Sequence, residues 1–552
     1  MTRETRNFIA GHWQDGAATA ENRNPSDLSD VIGHYAQADA AQLGTALDAA
    51  RAAQPAWGAT GPQKRHDVLM AIGTELMSRA EEIGTMIARE EGKPLAEGRG
   101  ETYRAGQFFT YYAAEALRQL GDTADSVRPD IEIDVRREPV GVVAIISPWN
   151  FPIATPAWKI APALAFGNAV IWKPANQTPA SAVALTEIIA RQDLPPGLFN
   201  LVMGPGREVG QRLVESPAVD AISFTGSVPV GRGIAAAAIA NMTKIQMEMG
   251  SKNPMVICED CDLDLAVAHA VGAAFGGTGQ KCTAASRLIV EDRIHDAFVE
   301  KLVAATEALK VGHALEEGTQ IGPVVSEAQL RANLDYIRIG QDEGAELLCG
   351  GDRPERATQG HYMAPAVFAG TTGAMRINRE EMFAPITCIL KAGSYDEALH
   401  MANDTEFGLT AGIMTTSLAR ERGGHDARRQ AEFGVVGHVQ SLVITAGLED
   451  AGDGREHFLA VDAHRTRGAG EDGGGHVMAL RRALRPVAAA EQFGALVLPD
   501  PDIVEIGAEL RLADHGADLR ALLERVPDLE RLGGRDKLFD EGVMDAVLDD
   551  QP

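Results

Sequence analysis

The sequence predicts an α/β fold in which a parallel sheet is covered by helices on both faces. From Val140 onward, short apolar segments start about 20 to 30 residues apart, the length of a strand–helix repeat. Apolar strands that alternate with helices are typical of parallel sheets buried on both faces. The segments predicted to be strands are Val142–Ile146, Ala169–Trp172, Phe199–Met203, Ala221–Phe224 and Ile245–Met247.

A long helix is predicted before these strands, over Lys64–Glu91. Its apolar residues recur at helical spacing, and Gly92 and Pro94 follow as stop signals. The chain has 552 residues, of which 45% are hydrophobic and 23% are charged. That length and composition predict two or three globular domains.

The charge and the cysteine content restrict the class of partner. The net charge is −27, from 51 basic and 78 acidic residues, so nucleic acid and anionic membranes are poor partners. The sequence has no apolar stretch of the roughly 18 residues that a membrane span needs. Five cysteines without zinc-ligand spacing predict neither a disulfide framework nor a metal site, and favour a cytoplasmic location.

Residues 421–552 differ in composition from the rest of the chain. They contain no Cys, Trp, Tyr or Asn, and their basic residues are 14 Arg and 1 Lys. One interpretation is a divergent appended domain, since some of its leucines fall at helical spacing. The interpretation we favour is a shifted reading frame in a GC-rich gene, because the depleted residues have AT-rich codons. The segment is therefore predicted to be an atypical tail.

Two polar residues follow predicted strands at the edge where parallel sheets bind ligands. Asn150 lies in Ser147–Pro152, and its amide donors suit an oxyanion hole. Lys173 comes just after the next predicted strand and could hydrogen-bond a ribose or a phosphate. Taken alone, each residue is more often part of a turn or a solvated strand end than of a site.

A strand-to-helix turn occupies Phe224–Gly231. Gly226, Ser227 and Gly231 open an apolar helix, whose N–H groups and positive end suit a pyrophosphate. The segment differs from the G-x-G-x-x-G fingerprint, and a tight turn without a ligand is the alternative.

The strongest chemical signal is a cysteine that accompanies an acid. Cys282 lies in a polar, glycine-rich segment, where Lys281 would favour the thiolate. Glu248 interrupts the apolar run Ile245–Met249, and burial would raise its pKa toward that of a general base. With an oxyanion amide and a phosphate turn, these residues predict covalent catalysis beside a dinucleotide.

The motifs around these residues resemble the aldehyde dehydrogenase superfamily over about residues 8 to 420. Glu248-Met-Gly-Ser-Lys-Asn-Pro is similar to its glutamate signature, and Gly276–Ser286 is similar to its cysteine signature. Glu381–Pro385 resembles its nicotinamide-ribose motif, with Ala384 where glycine is usual. Together with the spacing of Asn150 to Lys173, these segments make four motifs in the expected order, so the resemblance is specific.

The resemblance implies a cysteine mechanism that needs no metal. Cys282 would attack an aldehyde, while the Asn150 amide and the Cys282 backbone N–H hold the oxyanion. Hydride would pass to NAD(P)⁺, and Glu248 would activate the water that hydrolyses the thioester.

The resemblance also implies the cofactor contacts. Lys173 would bind the adenine ribose, Ser227 the pyrophosphate and Glu381 the nicotinamide ribose. Phe383 would lie against the nicotinamide, with Trp149 among the cofactor-binding residues. Asn176 stands where NAD-preferring members often have Glu, so we expect NADP⁺ to be accepted as well as NAD⁺.

The family architecture implies a Rossmann-like cofactor domain over residues 1–129 and 139–249 and an α/β catalytic domain over 250–420. A small oligomerising β-extension would include residues 130–138, and the family forms homodimers or homotetramers. The final strand and the Pro-Phe-Gly-Gly-like motif that members normally carry are not found in 421–552. Loss of these segments would affect both assembly and activity.

Within the superfamily, three segments most resemble the α-ketoglutaric semialdehyde (2,5-dioxopentanoate) dehydrogenases: Pro156–Leu164, Gly197–Val202 and Thr278–Ala284. That substrate ends in a carboxylate, which Arg104 on the amphipathic segment Glu101–Arg118 could bind, although a solvated helix arginine is the alternative. Succinic and glutaric semialdehydes are close alternatives. A CoA-acylating enzyme and an inactive relic are the other interpretations, and Glu248 argues against the first.

Overall fold

A computed structural model of the protein describes residues 3–356, 358–424 and 443–444. Nearly all of the predicted tail, 421–552, lies outside the described residues. The described strands form two seven-stranded sheets, a three-stranded sheet and a two-stranded hairpin. An α/β fold was predicted, and this architecture confirms it.

The strands and helices are numbered here in chain order. The strands are β1 (Arg3–Thr5), β2 (Asn7–Ile9), β3 (His12–Gln14), β4 (Ala18–Asn24), β5 (Asp27–Gln37), β6 (Asp122–Asp125), β7 (Glu132–Val135), β8 (Val142–Ile146), β9 (Ala169–Lys173), β10 (Phe199–Leu201), β11 (Ala221–Thr225), β12 (Lys244–Glu248), β13 (Asn253–Ile257), β14 (Ala285–Glu291), β15 (Glu346–Cys349), β16 (Ala366–Ala369), β17 (Ile386–Ala392), β18 (Gly412–Met414) and β19 (Val443–Ile444). The helices are α1 (Ala40–Gly58), α2 (Pro62–Ser78), α3 (Ala80–Glu91), α4 (Leu95–Leu117), α5 (Ala154–Ala165), α6 (Pro179–Ala190), α7 (Gln211–Glu215), α8 (Val228–Ala240), α9 (Leu263–Phe275), α10 (Asp292–Glu307), α11 (Glu327–Asp342), α12 (Arg376–Arg379), α13 (Tyr395–Asn403) and α14 (Leu418–Gly424).

The first large sheet contains all five strands that the apolar segments predict. Its order is β12-β11-β8-β9-β10-β2-β3, and the strands from β12 to β10 are parallel. Every residue of β9 is buried, as expected for a central strand with helices on both faces. Trp57 of α1 and Trp172 of β9 are among the largest buried side chains of this core.

The second large sheet has the order β15-β16-β17-β14-β13-β18-β19, and all its pairs are parallel except β15 with β16. Its core includes Phe275, Phe298 and Phe368, which are buried. The cysteine segment lies between α9 and β14, so it starts from the core of this sheet.

The prediction of one helix over Lys64–Glu91 is wrong in one respect. The segment forms two helices, α2 and α3, which meet at Arg79 with φ −103° and ψ 17°. Arg79 forms ion pairs with Glu75 and Glu82 on either side of the break. The predicted stop is confirmed, because α3 ends at Gly92 in a left-handed conformation with φ +100°.

The predicted extension segment contains one strand of an exposed hairpin. β6 pairs antiparallel with β7, and all eight of their residues are exposed. Ile131, Ile133 and Val135 are 45–49% exposed on this hairpin. None of the helices in the described residues is both long enough and apolar enough to cross a membrane.

Candidate active site

Four of the predicted site residues follow parallel strands of the first sheet at the same edge. Asn150 comes after β8, Lys173 ends β9, Ser227 comes after β11, and Glu248 ends β12. The carboxyl ends of parallel strands meet along one edge of a sheet, and ligands bind in the crevice outside it. The topology therefore places side chains from distant parts of the sequence along one crevice.

The loop that carries Cys282 has a conformation that depends on glycine. After α9, residues Gly277, Thr278 and Gly279 have positive φ angles of 60°, 56° and 67°. A β-carbon on Gly279 would lie 2.0 Å from the carbonyl oxygen of Ala384. Thr278 is β-branched, so its φ is an outlier of the kind that clusters at functional sites.

Cys282 is partly buried, and burial raises the pKa of its thiol to about 12. The charges of Glu248 and Glu381 contribute to the same shift after burial, so both carboxylates lie within electrostatic range of the sulfur. Lys281 and Cys282 attract each other when both are charged, which is the predicted direction, but burial of the thiol outweighs this attraction. The ammonium of Lys281 lies beside Gly276 and interacts with the charge of Glu97.

Asn150 is directed at the cysteine loop. The residue is 5% exposed, and its Nδ2 donates to the carbonyl oxygen of Gln280 at 2.9 Å. The Gln280 side chain is itself held, because its Oε1 accepts from the Val325 backbone N–H at 3.0 Å. An amide nitrogen has two N–H groups, so Asn150 keeps a second donor next to the segment that leads from Gln280 to Cys282.

Glu248 lies at the end of an edge strand rather than inside a buried run. Lys244, Ile245 and Gln246 of β12 are exposed, whereas Met247 is buried. Glu248 itself is partly buried, and burial raises the pKa of its carboxyl, while Lys159 lowers it. A carboxyl with a raised pKa suits a general base near neutral pH.

Lys159 of α5 is a charged residue of the site that the sequence reasoning missed. The residue is 4% exposed, and its ammonium donates to Ser223 Oγ at 2.9 Å and to Gln246 Oε1 at 3.0 Å. Burial lowers the pKa of Lys159 to about 7, and the charge of Glu248 opposes this shift. The available signal was a lysine in the apolar helix Ala154–Ala165, since a buried lysine needs partners.

Glu381 lies against the glutamate signature. Its Oε1 accepts from the Ser251 backbone N–H at 3.1 Å, and burial raises the pKa of its carboxyl. Two residues later, the ring of Phe383 meets Trp149 edge to face with centroids 5.4 Å apart. Phe383 has a φ of +51°, which is unusual for a bulky residue. This contact joins the Asn150 loop to the Glu381 segment.

Lys173 is buried, and its Nζ donates to the carbonyl oxygen of Pro174 at 2.9 Å. Burial lowers the pKa of Lys173 to about 8. Asn176 is exposed and does not cap the following helix, since Thr178 occupies the N-cap position of α6. Glu90 caps that helix instead, by accepting from the backbone N–H groups of Ala180 and Ser181.

The predicted phosphate turn forms the start of α8. Ser227 is the exposed N-cap residue, and its side chain makes no capping hydrogen bond within the described residues. Ser227 therefore leaves the N–H groups of the first turn of α8 uncapped for a ligand, apart from Pro229, which has no N–H. Gly226 donates its N–H to the Glu248 carbonyl oxygen at 3.1 Å. A β-carbon on Gly231 would lie 2.4 Å from Met249 Sδ, so a larger residue here would have to displace the Met249 side chain.

Arg104 is exposed on α4, away from the buried face of that helix. Its Nη1 donates to Gln107 Oε1 at 3.0 Å, and its guanidinium lies 5.1 Å from the ring centroid of Phe108. Phe108 meets Trp158 of α5 edge to face at 5.7 Å. Arg104 thus lies next to an aromatic pair that joins α4 to the helix after Asn150.

Comparison with known families decides the identity of the chain. The sequence profile described as the aldehyde dehydrogenase family matches residues 13–454. The chain belongs to the aldehyde dehydrogenase family. The match continues 34 residues beyond 420, where the sequence motifs stop, so the family resemblance extends into the atypical segment.

This aldehyde dehydrogenase is similar to several characterised members. It is 41% identical over 418 residues to the alpha-ketoglutaric semialdehyde dehydrogenase of Bacillus subtilis, covering 75% of this chain and 86% of the relative. It is 39% identical over 427 residues to the betaine aldehyde dehydrogenase of Mesorhizobium japonicum, covering 76% and 86%. The resemblance to α-ketoglutaric semialdehyde dehydrogenases is thereby confirmed.

Its fold matches a solved structure of betaine aldehyde dehydrogenase from Staphylococcus aureus in complex with NAD⁺. The TM-score is 0.75 and the sequences are 32% identical, with 77% of this chain and 85% of the other covered. The aldehyde dehydrogenase fold is therefore established for the described part of this chain.

Proposed function

We propose that this aldehyde dehydrogenase oxidises a carboxylate-bearing semialdehyde to the acid with NAD(P)⁺. Two observations carry the proposal: Asn150 donates to the Gln280 carbonyl oxygen, two residues before Cys282, and the charge of Glu248 acts on the Cys282 thiol. A nucleophile, an oxyanion donor and a base in one crevice are the requirements of this chemistry.

The residues at the crevice suit a dinucleotide. The open N-terminus of α8 at Ser227 would hold a pyrophosphate, and Glu381 would accept from a ribose hydroxyl. Lys173 would reach the adenine ribose, and Trp149 with Phe383 would border the nicotinamide. The S. aureus neighbour is a complex with NAD⁺, which supports the same cofactor class here. Bound NAD(P)⁺ would supply the hydride acceptor.

In the first half of the reaction, the Cys282 thiolate attacks the aldehyde carbon. The Asn150 amide and the Cys282 backbone N–H stabilise the resulting oxyanion. In the second half, Glu248 takes a proton from the water that attacks the thioester carbon, and the thiolate is the leaving group. The charge of Lys159 lowers the pKa of the Glu248 carboxyl and so favours the carboxylate that accepts this proton.

Substrate charge separates the two kinds of named relative, since α-ketoglutaric semialdehyde is anionic and betaine aldehyde is cationic. We favour the anionic substrate because Arg104 carries a positive charge that could pair with a carboxylate. Its guanidinium lies beside the aromatic pair Phe108 and Trp158. The higher identity to the B. subtilis relative supports the same choice.

The first experiment measures NAD⁺ and NADP⁺ reduction with 2,5-dioxopentanoate, succinic semialdehyde, glutaric semialdehyde and betaine aldehyde. A preference for the anionic aldehydes that falls in Arg104→Ala would support the proposal. A preference for betaine aldehyde would contradict it. Activity that appears only with added CoA would identify the CoA-acylating alternative, and failure with every aldehyde would favour an inactive relic.

The domain assignment is proposed on the same basis. Residues 1–129 and 139–249 supply the cofactor sheet, and residues 250–420 supply the catalytic sheet, with 130–138 in an oligomerising extension. The exposed apolar residues of the hairpin β6–β7 support this extension. Light scattering of the full chain tests whether the protein forms the proposed homodimer or homotetramer.

A further inference from the structure

A buried ammonium holds the backbone of the Asn150 loop. Lys93, just before α4, is 3% exposed, and its Nζ donates to the Asn150 carbonyl oxygen at 2.5 Å. The same Nζ donates to Glu101 Oε2 at 2.9 Å and lies 3.9 Å from Glu91 Oε2. It also lies 4.2 Å from the ring centroid of Phe151. Lys93 therefore contacts both Asn150 and the residue after it.

Glu101 holds the other end of the same loop. Its second oxygen, Oε1, accepts from the backbone N–H groups of Ile153 and Ala154 at 2.9 and 3.1 Å. Ile153 is the N-cap residue of α5 and has no side-chain oxygen of its own to cap the helix. The ion pair of Lys93 and Glu101 thus fixes residues 150 to 154 as one unit.

Glu97, one helical turn before Glu101, makes a contact with the cysteine loop. Its Oε1 accepts from the Gly277 backbone N–H at 2.9 Å. The start of α4 thereby contacts both segments that meet at the active site, the Asn150 loop and the Cys282 loop. Burying the charges of Lys93 and Glu101 costs free energy unless the two groups are well paired. Their role in fixing both loops explains why charged residues occupy these positions.

We propose that Lys93 is a positioning residue for the oxyanion donor, and this inference rests on the proposed function. Lys93 donates to the main-chain carbonyl oxygen of Asn150, while the Gln280 carbonyl oxygen accepts from one N–H of the Asn150 side chain. The remaining N–H is thereby aimed at the oxyanion on Cys282. The charged groups that face Lys93 are Glu91, Glu97, Glu101 and Lys281.

A double-mutant cycle tests this role through the burst rate of NAD(P)H formation, measured with the aldehyde that the wild type oxidises fastest. We expect Asn150→Ala to slow the burst by roughly 10²–10³-fold, as for a lost oxyanion donor. Lys93→Met should slow it by roughly 10²-fold, the effect of about 1 Å of misplacement. In the Asn150→Ala background, Lys93→Met should slow the burst by no more than about twofold, which is the usual deviation for two independent mutations.

A second variant guards against misfolding caused by unpaired buried acids. Lys93→Met with Glu101→Gln removes both charges and keeps an acceptor for the N–H groups of Ile153 and Ala154. Exposed Lys301→Met is the matched control. Alkylation of Cys282 by iodoacetamide displaces iodide without forming an oxyanion, so its rate should stay within about twofold of wild type in each variant.

Two results would overturn the positioning role while leaving the proposed function intact. One is equal losses from the Lys93 change with and without Asn150. The other is a parallel loss of the alkylation rate, which would show general disruption of the loop. A wild-type protein that oxidises no aldehyde would instead reject the proposed function, and the inference with it.

Discussion

Gly250 lies directly against the carboxylate of Glu381. A β-carbon on Gly250 would be 2.0 Å from Glu381 Oε2 and 2.5 Å from its Cδ. The neighbouring Ser251 backbone N–H donates to the other oxygen of the same carboxylate at 3.1 Å. Only glycine at position 250 allows the two signature segments to meet in this way.

Gly250→Ala is expected to displace Glu381 and to weaken cofactor binding. A hydrogen bond to a charged group is worth about 1.5–3 kcal/mol, so KM for NAD(P)⁺ should rise by roughly tenfold or more. Steady-state kinetics with varied cofactor measure this change. Gly272→Ala on α9 is the control, because a β-carbon there meets nothing within 4 Å. An unchanged KM for NAD(P)⁺ in Gly250→Ala would show that Glu381 does not bind the cofactor.

Cys282→Ala is expected to abolish aldehyde oxidation while cofactor binding is retained. The reason is that the covalent step needs a thiolate at this position. Activity assays and fluorescence titration with NAD(P)⁺ measure the two effects. Cys261→Ala, at another partly buried cysteine, should keep wild-type activity. Substantial turnover by the Cys282 variant would reject the nucleophile assignment.

Glu248→Gln is expected to preserve a burst of NAD(P)H and to slow steady turnover by roughly 10²–10⁴-fold. That is the range for loss of a general base, and the amide cannot take the water proton. Stopped-flow absorbance resolves the two phases, and exposed Glu300→Gln on α10 is the control. Unchanged steady turnover at saturating substrate would mean that another group activates the water.

The reactivity of Cys282 is expected to rise with pH throughout the neutral range. Because its thiol pKa is raised to about 12, the thiolate is a small fraction that grows about tenfold per pH unit between pH 7 and 10. Iodoacetamide alkylation followed by peptide mass spectrometry measures this slope. Glu248→Gln removes one charge that raises the pKa, so it should speed alkylation. A plateau near pH 8 would contradict this prediction.

Asn176→Glu is expected to reduce the use of NADP⁺ relative to NAD⁺. A carboxylate at this position would repel a 2′-phosphate. Because residue 176 is exposed, this repulsion costs about 1 kcal/mol, which corresponds to about fivefold in kcat/KM. Values of kcat/KM for both cofactors on wild type and variant measure it, with Gln177→Glu as control. Equal discrimination in wild type and Asn176→Glu would place residue 176 away from the 2′ position.

The sequence alone determined the strands and the residues that end them. All five apolar segments are strands, and the cysteine and glutamate signatures lie at the crevice beside the first sheet. Local patterns suffice here because a buried parallel strand must be apolar, and glycine must occupy positions with positive φ such as Gly279. The tail over 421–552 was recognised only as a change of composition.

Tertiary structure alone decided which charges act on the reacting groups. Lys281 adjoins Cys282 in sequence, yet its ammonium interacts more with Glu97 than with Cys282, while Glu248, 34 residues away, raises the thiol pKa. Lys93 is 57 residues from Asn150 and still donates to its carbonyl oxygen. The backbone conformation sets the direction in which neighbouring side chains point. The strength of a charge interaction depends on the distance between the groups and on their burial. Composition and sequence spacing contain neither quantity.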